Sequence, residues 1–150
     1  MTWKIQIEDL PAMQRFAARV ADYADKGFTL CLSGELGAGK TTFTQFFGRS
    51  LGIDEAINSP TFTIMKLYDK ADLSLVHIDA YRLEGFGEDE SLEEYIFGPH
   101  ICVIEWYEYI KGSLPSAYLA IDFIRSGPTS RTLYVKGSGR YEAIAETLSH

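Results

Sequence analysis

Short apolar runs bounded by turn-forming residues recur along this chain, and runs of this length are typical of buried strands. Seven segments have this pattern: residues 3–7, 28–32, 64–68, 73–79, 101–105, 118–124 and 132–135. The short polar connections after the third and sixth segments predict two antiparallel hairpins. The pattern therefore predicts a sheet that is at least partly antiparallel.

Between these runs, apolar residues return at the three- and four-residue spacing of a helix that buries one face. Four such faces begin at Leu10, Phe43, Leu92 and Tyr141. We expect Asp9 to cap the first helix, with Pro11 in its first turn, and Gly52 to end the second in a left-handed conformation. The alternation predicts an α/β fold with a mixed, mostly parallel sheet, flanked by helices and carrying antiparallel hairpins.

The length and composition indicate one folded unit. A chain of 150 residues without an internal repeat or linker predicts a single domain over residues 1–150. No apolar run approaches the roughly 20 residues of a membrane span, and the chain start has no signal-peptide pattern. Cys31 and Cys102 lie within strand-like runs, which predicts reduced core residues rather than a disulfide. A cytoplasmic location fits these features best.

The net charge of −7 changes the expected partners. Proteins that bind nucleic acid through its backbone normally present a basic surface, because neutralised phosphates supply much of the affinity. Acidic residues outnumber basic ones here by 21 to 14, which disfavours direct and independent binding to nucleic acid. The alternative is a local basic patch formed by Arg125, Arg131, Lys136 and Arg140.

The strongest chemical signal in the chain is a glycine-rich segment that fits the phosphate-binding pattern G-x-x-x-x-G-K-[ST]. It consists of Gly34, Glu35, Leu36, Gly37, Ala38, Gly39, Lys40 and Thr41. It stands between a predicted strand and a predicted helix, which is the context that the motif requires. Glycines let backbone amides form a nest around phosphate oxygens, and the helix start adds the positive end of its dipole. The segment predicts a P-loop NTPase.

The residues at the end of this loop fit the needs of a nucleotide bound with Mg²⁺. Lys40 is predicted to reach the β- and γ-phosphates, Thr41 to bind Mg²⁺ through its hydroxyl, and Thr42 to lie near the α-phosphate. Carboxylates are also needed beside the metal, and in open α/β sheets such groups lie at the carboxyl ends of strands. Asp79 and Glu105 each end a predicted strand, so we expect at least one of them to serve the metal.

Four blocks of sequence, in this order and spacing, resemble the bacterial ATPase family called TsaE or YjeE, which is required for making threonylcarbamoyladenosine in tRNA. The blocks are residues 32–42, 59–63, 77–83 and 104–106, and the resemblance covers nearly the whole chain. Only the first is a general nucleotide-binding motif, so the resemblance is specific. One departure is Tyr107, where the family pattern has proline after the Glu-Trp pair.

The resemblance implies an ATP-binding protein that uses Mg²⁺ and hydrolyses ATP slowly on its own. Its implied partners are the threonylcarbamoyl-transferring subunit and its inactive relative, of the TsaD and TsaB types, and ATP would reset their complex between turnovers. Contact with tRNA would come through that complex. Lys40 and Thr41 would hold phosphate and Mg²⁺, with Glu105 as the second metal ligand. Asp79 would position water or bind it at the metal, and Thr61 would sense the γ-phosphate from a switch loop over residues 59–63.

Three other functions compete with this interpretation. A small-molecule kinase would need a lid with several arginines, and no Arg-rich segment of that length occurs. A GTPase would need an Asn-Lys-x-Asp motif after the loop, and none is present. A nucleotide-sensing module with negligible turnover stays open, because no catalytic arginine finger is evident and such a group can add 10³ to 10⁵ in rate.

Several residues near these motifs have no role that the sequence decides. His77 shares a strand face with Asp79 and either lines the site or is structural. Arg82 either orders a turn or reaches phosphate, and Trp106 packs near the site or near a partner. Adenine recognition has no signature, and the first helix and the loop after Leu51 are the candidate segments.

Overall fold

A single seven-stranded sheet runs through the middle of the molecule. The computed structural model describes residues 1–58, 64–70, 72–85 and 90–150. The strands are β1 Thr2–Ile7, β2 Thr29–Ser33, β3 Met65–Lys70, β4 Leu73–Asp79, β5 Ile101–Glu105, β6 Leu119–Arg125 and β7 Arg131–Gly137. Their order across the sheet is β1-β7-β6-β2-β5-β4-β3.

The sheet is parallel in its centre and antiparallel at both sides. Strands β6, β2, β5 and β4 are parallel neighbours, whereas β1 with β7, β7 with β6, and β3 with β4 pair antiparallel. The predicted mixed sheet and both predicted hairpins are confirmed. Among the described residues three pairings are parallel and three antiparallel, and five of the seven strands run in one direction. The parallel centre brings the carboxyl ends of β2, β4 and β5 to one edge of the sheet.

In the part of the chain that the structure describes, four α-helices flank the sheet, and their starts follow the predicted faces. They are α1 Leu10–Ala21, α2 Lys40–Ser50, α3 Glu90–Ile96 and α4 Tyr141–Leu148. The Asp9 side chain caps α1 by accepting the N–H of Ala12 at 2.9 Å, and Pro11 lies in the first turn. Gly52 has the expected left-handed backbone, with φ at +89°, just after α2. Two 3₁₀-helices, Tyr81–Leu83 and Tyr107–Ser113, were not predicted.

The helices divide the core between the two faces of the sheet. Helices α1, α2 and α4 cover one face, where the ring of Phe43 contacts those of Phe16, Phe47 and Phe123 at centroid distances of 5.5 to 5.9 Å. Helix α3 and the second 3₁₀-helix cover the β4, β5 and β2 part of the other face. Both cysteines are buried there as free thiols, as predicted. In the described residues, no helix has the length and apolar character needed to cross a membrane.

Candidate nucleotide-binding site

The glycine-rich loop joins β2 to α2 through backbone angles that favour glycine. Gly34, Gly37 and Gly39 have φ values of +135°, +83° and +111°. A side chain at Gly34 is also sterically excluded, because its Cβ would lie 2.5 Å from the carbonyl oxygen of Phe123. Gly39 directly precedes the first turn of α2, so the unpaired N–H groups of the helix start adjoin the loop. This geometry suits an anion of phosphate type.

Lys40 is nearly buried at the start of α2, with 5% of its surface exposed. Its ammonium group donates a hydrogen bond to the Gly34 carbonyl and lies 4.1 Å from the centroid of the Trp106 ring. Burial lowers the pKa of Lys40, while the charges of Glu105 and Asp79 oppose that change. The loop carbonyl and the indole ring thus stabilise the lysine.

The two predicted carboxylates lie side by side at the edge of the sheet that carries the loop. Asp79 and Glu105 are register partners on the parallel strands β4 and β5, and Glu105 is also in register with Leu32 on β2. Burial raises the pKa of Asp79, and the neighbouring charge of Glu105 raises it further. The Oδ1 atom of Asp79 accepts the backbone N–H of Tyr81 at 3.1 Å. The sheet therefore concentrates negative charge next to Lys40.

His77 holds one of these carboxylates. Its Nε2 atom lies 2.6 Å from Oε2 of Glu105, and both side chains are almost fully buried. The Nδ1 atom of His77 has no hydrogen-bond partner among the described residues. Sequence reasoning placed His77 on the face of Asp79 but left its role open. The structure gives it the position of a group that orients Glu105.

Trp106 adopts an unusual backbone conformation immediately after β5. Its φ is +58°, a value that costs a residue with a Cβ roughly 1 kcal/mol or more. Its N–H donates to the carbonyl of Leu32 at 3.1 Å, which ties it to β2. The indole stacks on Tyr109, with centroids 5.6 Å apart, and meets the ring of Tyr81 edge-on at 5.1 Å. These contacts hold the ring over Lys40.

The remaining predicted site residues have different outcomes. Thr41 and Thr42 lie in the first turn of α2, as the motif requires. Thr61 and the rest of the predicted switch loop, residues 59–63, lie outside the described residues. Tyr107, the residue at which this chain departs from the family pattern, is buried. Its ring contacts that of Tyr118, with centroids 5.7 Å apart. The side chain of Tyr107 therefore fills a core position beside the turn.

The structure separates the residues of the possible basic patch. The Arg131 guanidinium donates from Nε to the carbonyl of Ala38 at 3.0 Å and from Nη2 to that of Gly37 at 3.5 Å. Arg140 lies instead near the amino ends of the strands, where it pairs with Asp25 at 3.0 Å. Arg125 and Arg131 are neighbours in the β6–β7 hairpin, whereas Arg140 lies at the other end of the sheet, so the four basic residues do not form one patch. The contact of Arg131 with the loop was missed, and no pattern in the sequence connects the two.

A cavity of about 440 Å³ adjoins the loop on the side of α1. Its walls are mainly apolar and include Leu10, Pro11 and Met13 from the start of α1, together with Gly39 and Thr42. The turn between β6 and β7 closes the opposite wall. Pockets of this size and character suit a flat, partly apolar ligand. The first helix, which forms one wall of this cavity, is one of the two candidate segments for adenine recognition.

Comparison with known proteins connects this geometry to a family. The sequence model of the family described as threonylcarbamoyl adenosine biosynthesis protein TsaE matches residues 7–133. The chain belongs to the TsaE family. The resemblance inferred from the four sequence blocks is thereby confirmed.

Individual relatives of the TsaE family agree with this assignment. The chain is 45% identical over 134 residues to the tRNA threonylcarbamoyladenosine biosynthesis protein TsaE of Bacillus subtilis, covering 89% of this chain and 85% of that protein. It is 38% identical over 109 residues to the TsaE protein of Treponema pallidum, covering 71% and 80%. A crystal structure of Bacillus subtilis YdiB superimposes with a TM-score of 0.79 at 35% identity, covering 99% of this chain and 95% of that one. Both the sequence and the fold are thus those of the TsaE family.

Proposed function

We propose that this protein binds ATP with Mg²⁺ and hydrolyses it slowly, and that this cycle supports formation of threonylcarbamoyladenosine in tRNAs that read codons beginning with A. One observation carries the proposal. The loop Gly34–Thr41 lies at the same edge of the sheet as the paired carboxylates of Asp79 and Glu105. The ammonium group of Lys40, which belongs to the loop, lies close to both carboxylates. This is the arrangement that phosphoryl chemistry on a nucleotide needs.

The phosphate end of ATP fits the loop. Gly34, Gly37 and Gly39 would direct backbone N–H groups toward phosphate oxygens, with the start of α2 behind them. Lys40 would leave the Gly34 carbonyl and the Trp106 ring to contact the β- and γ-phosphates. Both contacts of Lys40 are made by its side-chain ammonium group, so exchanging them for phosphate needs no rearrangement of the sheet.

The donors beside the loop suit Mg²⁺, which prefers hard oxygen ligands. Thr41 would contribute its hydroxyl and Glu105 the carboxylate that His77 orients. Asp79 would hold water at the metal or position the attacking water, because it lies beside Glu105 but has a separate backbone partner in Tyr81. When bound, the ion neutralises charge on the phosphates. Thr61 completes the proposal as the sensor of the γ-phosphate.

The base of the nucleotide fits the cavity beside α1. Leu10, Pro11 and Met13 offer apolar contact to a purine, and Gly39 and Thr42 connect this cavity directly to the phosphate loop. A nucleotide could therefore extend from the cavity to the loop without crossing a secondary-structure element. Binding there would place the α-phosphate near Thr42, in agreement with its predicted position.

The link to tRNA modification rests on the family. The relatives from Bacillus subtilis and Treponema pallidum are described as tRNA threonylcarbamoyladenosine biosynthesis proteins. We propose that this chain acts in the cytoplasm with subunits of the TsaD and TsaB types and resets their complex through ATP. The net charge of −7, and the separation of Arg140 from Arg125 and Arg131, support contact with tRNA through those partners rather than directly.

One set of titrations tests this function. The purified chain is titrated with ATP, GTP and their diphosphates, with and without Mg²⁺ and the transferase pair, and hydrolysis is then assayed. We expect Mg²⁺-dependent binding of ATP, slow hydrolysis by the chain alone, and faster hydrolysis with the pair. Fast turnover of the isolated chain with a small acceptor would favour a kinase. Binding without any hydrolysis in the complex would favour a nucleotide sensor.

A further inference from the structure

Arg131 contacts the phosphate loop beside the proposed base cavity, and its side chain forms part of the cavity wall. It begins β7, is half-buried, and sits 94 residues along the chain from Gly37. Its Nε donates to the carbonyl of Ala38 at 3.0 Å, and its Nη2 donates to the carbonyl of Gly37 at 3.5 Å. Both acceptors are backbone atoms of the loop.

The same guanidinium also binds the turn between β6 and β7. Its Nη1 donates to the carbonyls of Ser130 and Gly127 at 2.8 and 3.3 Å. This turn is attached to the start of α1, since the hydroxyl of Thr129 donates to the carbonyl of Glu8 at 3.3 Å. Arg131 therefore connects the loop to the opposite wall of the proposed base cavity.

The bond to Ala38 fixes the direction of a neighbouring amide. In a planar trans peptide the carbonyl and the following N–H point in opposite directions. A carbonyl of Ala38 turned toward Arg131 therefore turns the N–H of Gly39 away from Arg131. The bond to the carbonyl of Gly37 acts on the preceding peptide, which joins Gly37 to Ala38. The N–H of that peptide belongs to Ala38 and donates to the carbonyl of Glu35 at 3.0 Å. One side chain thus orients two successive peptides.

We propose that Arg131 is a positioning residue of the nucleotide site: its guanidinium holds the two peptides that join residues 37–39, so that the N–H of Gly39 faces phosphate while that of Ala38 stays bonded within the loop. The inference rests on the proposed function, because it assigns a role within ATP binding. Arg131 acts through the backbone and not on the phosphate, since its Nε, Nη1 and Nη2 atoms all serve backbone carbonyls. An arginine suits this role because its fork can donate in several directions at once, which an ammonium group cannot do equally well.

The chain offers a matched control for this residue. Arg125 is the register partner of Arg131 in the same hairpin, and it also donates to the carbonyl of Gly127, at 3.4 Å. Its side chain is exposed, and within the described residues it makes no hydrogen bond to the loop. R125Q and R131Q therefore remove the same charge from adjacent positions, but only R131Q removes the contact with residues 37–39.

The test compares R131Q, R131K, R125Q and K40A for affinity to Mg²⁺-ATP and for hydrogen exchange of the loop amides without nucleotide. R131Q should bind ATP about tenfold to a hundredfold more weakly, which is the range for loss of charge-assisted hydrogen bonds. Its amides at residues 37–39 should exchange faster before any ATP is added. R131K should recover only part of the affinity, and R125Q should match the wild type in both measurements.

Each contrary result has a separate meaning. The inference is overturned if R131Q binds ATP like the wild type, if R131K restores full affinity, or if the weaker binding occurs without faster loop exchange. Should R131Q fail to fold, the same comparison of R131K with R125K decides the question, because both keep the charge. Wild-type affinity in R131Q beside a loss in K40A would leave the proposed function standing. A wild-type chain with no affinity for ATP would overturn the proposed function and this inference together.

Discussion

Two pairs of polar side chains lie at opposite ends of the parallel strands. At the carboxyl ends, His77 and Glu105 are in contact, and 0% and 4% of their side-chain surfaces are exposed. At the amino ends, Arg140 and Asp25 form an ion pair, and 47% and 60% of their side-chain surfaces are exposed. Burying polar and charged groups costs free energy that an exposed pair largely avoids. A contribution to stability alone therefore does not explain why the carboxylate of Glu105 is buried against His77. The comparison supports the proposal that the carboxyl ends bind the nucleotide and its metal.

The amino ends contribute to the fold by a different means. There the hydroxyl of Tyr141 accepts the buried N–H of Thr29 at 3.0 Å and its ring contacts Phe28 edge-on at 5.3 Å. Arg140 lies over the Tyr141 ring, 4.8 Å from its centroid. These contacts fasten α4 to the first residues of β2. Substitutions at the two ends of the sheet should therefore separate binding from stability, and four of them test this in order of expected effect.

The largest effect is expected at the carboxyl end, from Lys40→Ala. The substitution removes the cation that we place on the β- and γ-phosphates, so ATP affinity should fall a hundredfold or more, which is about 3 kcal/mol. Because the lost charge is nearly buried, the free energy of unfolding should stay within about 1 kcal/mol of the wild type. Calorimetric titration and urea unfolding measure the two quantities, with the exposed Lys111→Ala as control. Undiminished ATP affinity would refute the assignment of the loop.

At the amino end, Tyr141→Phe should show the opposite behaviour. It leaves the buried N–H of Thr29 without the hydroxyl acceptor, so the protein should lose about 1–3 kcal/mol of stability. The ATP affinity of the folded protein should not change. Urea unfolding and ATP titration are compared with Tyr23→Phe, whose side chain is partly exposed. If Tyr141→Phe weakened ATP binding as much as Lys40→Ala, the separation of the two ends would be wrong.

Glu105→Gln sharpens the comparison within the carboxyl end. The amide oxygen can still accept a hydrogen bond from His77, so the fold should persist, while the charge proposed to face Mg²⁺ is lost. The concentration of Mg²⁺ needed for half-maximal ATP binding should rise about tenfold, or roughly 1.4 kcal/mol. Exposed Glu94→Gln is the control. An unchanged Mg²⁺ titration would count against a ligand role for Glu105.

The smallest effect is expected from Asp25→Asn, which removes the exposed partner of Arg140. Exposed ion pairs contribute between about 0 and 1 kcal/mol, so the unfolding free energy should change by less than 1 kcal/mol. Raising the salt concentration should reduce even that difference. Urea unfolding at low and high salt tests it. A loss larger than that of Tyr141→Phe would show that this ion pair, and not the buried hydroxyl, fastens α4.

Local sequence patterns predicted much of the framework. The cap at Asp9, the left-handed Gly52 and the strand over 101–105 follow from the properties of adjacent residues and are as expected. The glycine-rich loop follows from a motif with fixed spacing. The proximity of Asp79 and Glu105 was also predictable, because parallel strands that neighbour each other end at the same edge of a sheet.

By itself, the sequence determined the strands, the helices, the phosphate loop and the family, because each depends on short-range periodicity or on blocks of consecutive residues. The tertiary structure alone decided that His77 holds Glu105, that Trp106 covers Lys40, and that Arg131 reaches a loop 93 residues away at Ala38. Such contacts depend on the order of the strands in the sheet, which places residues far apart in sequence next to each other. No period or motif along the chain encodes that order, so these parts of the site appear only when the sheet is assembled.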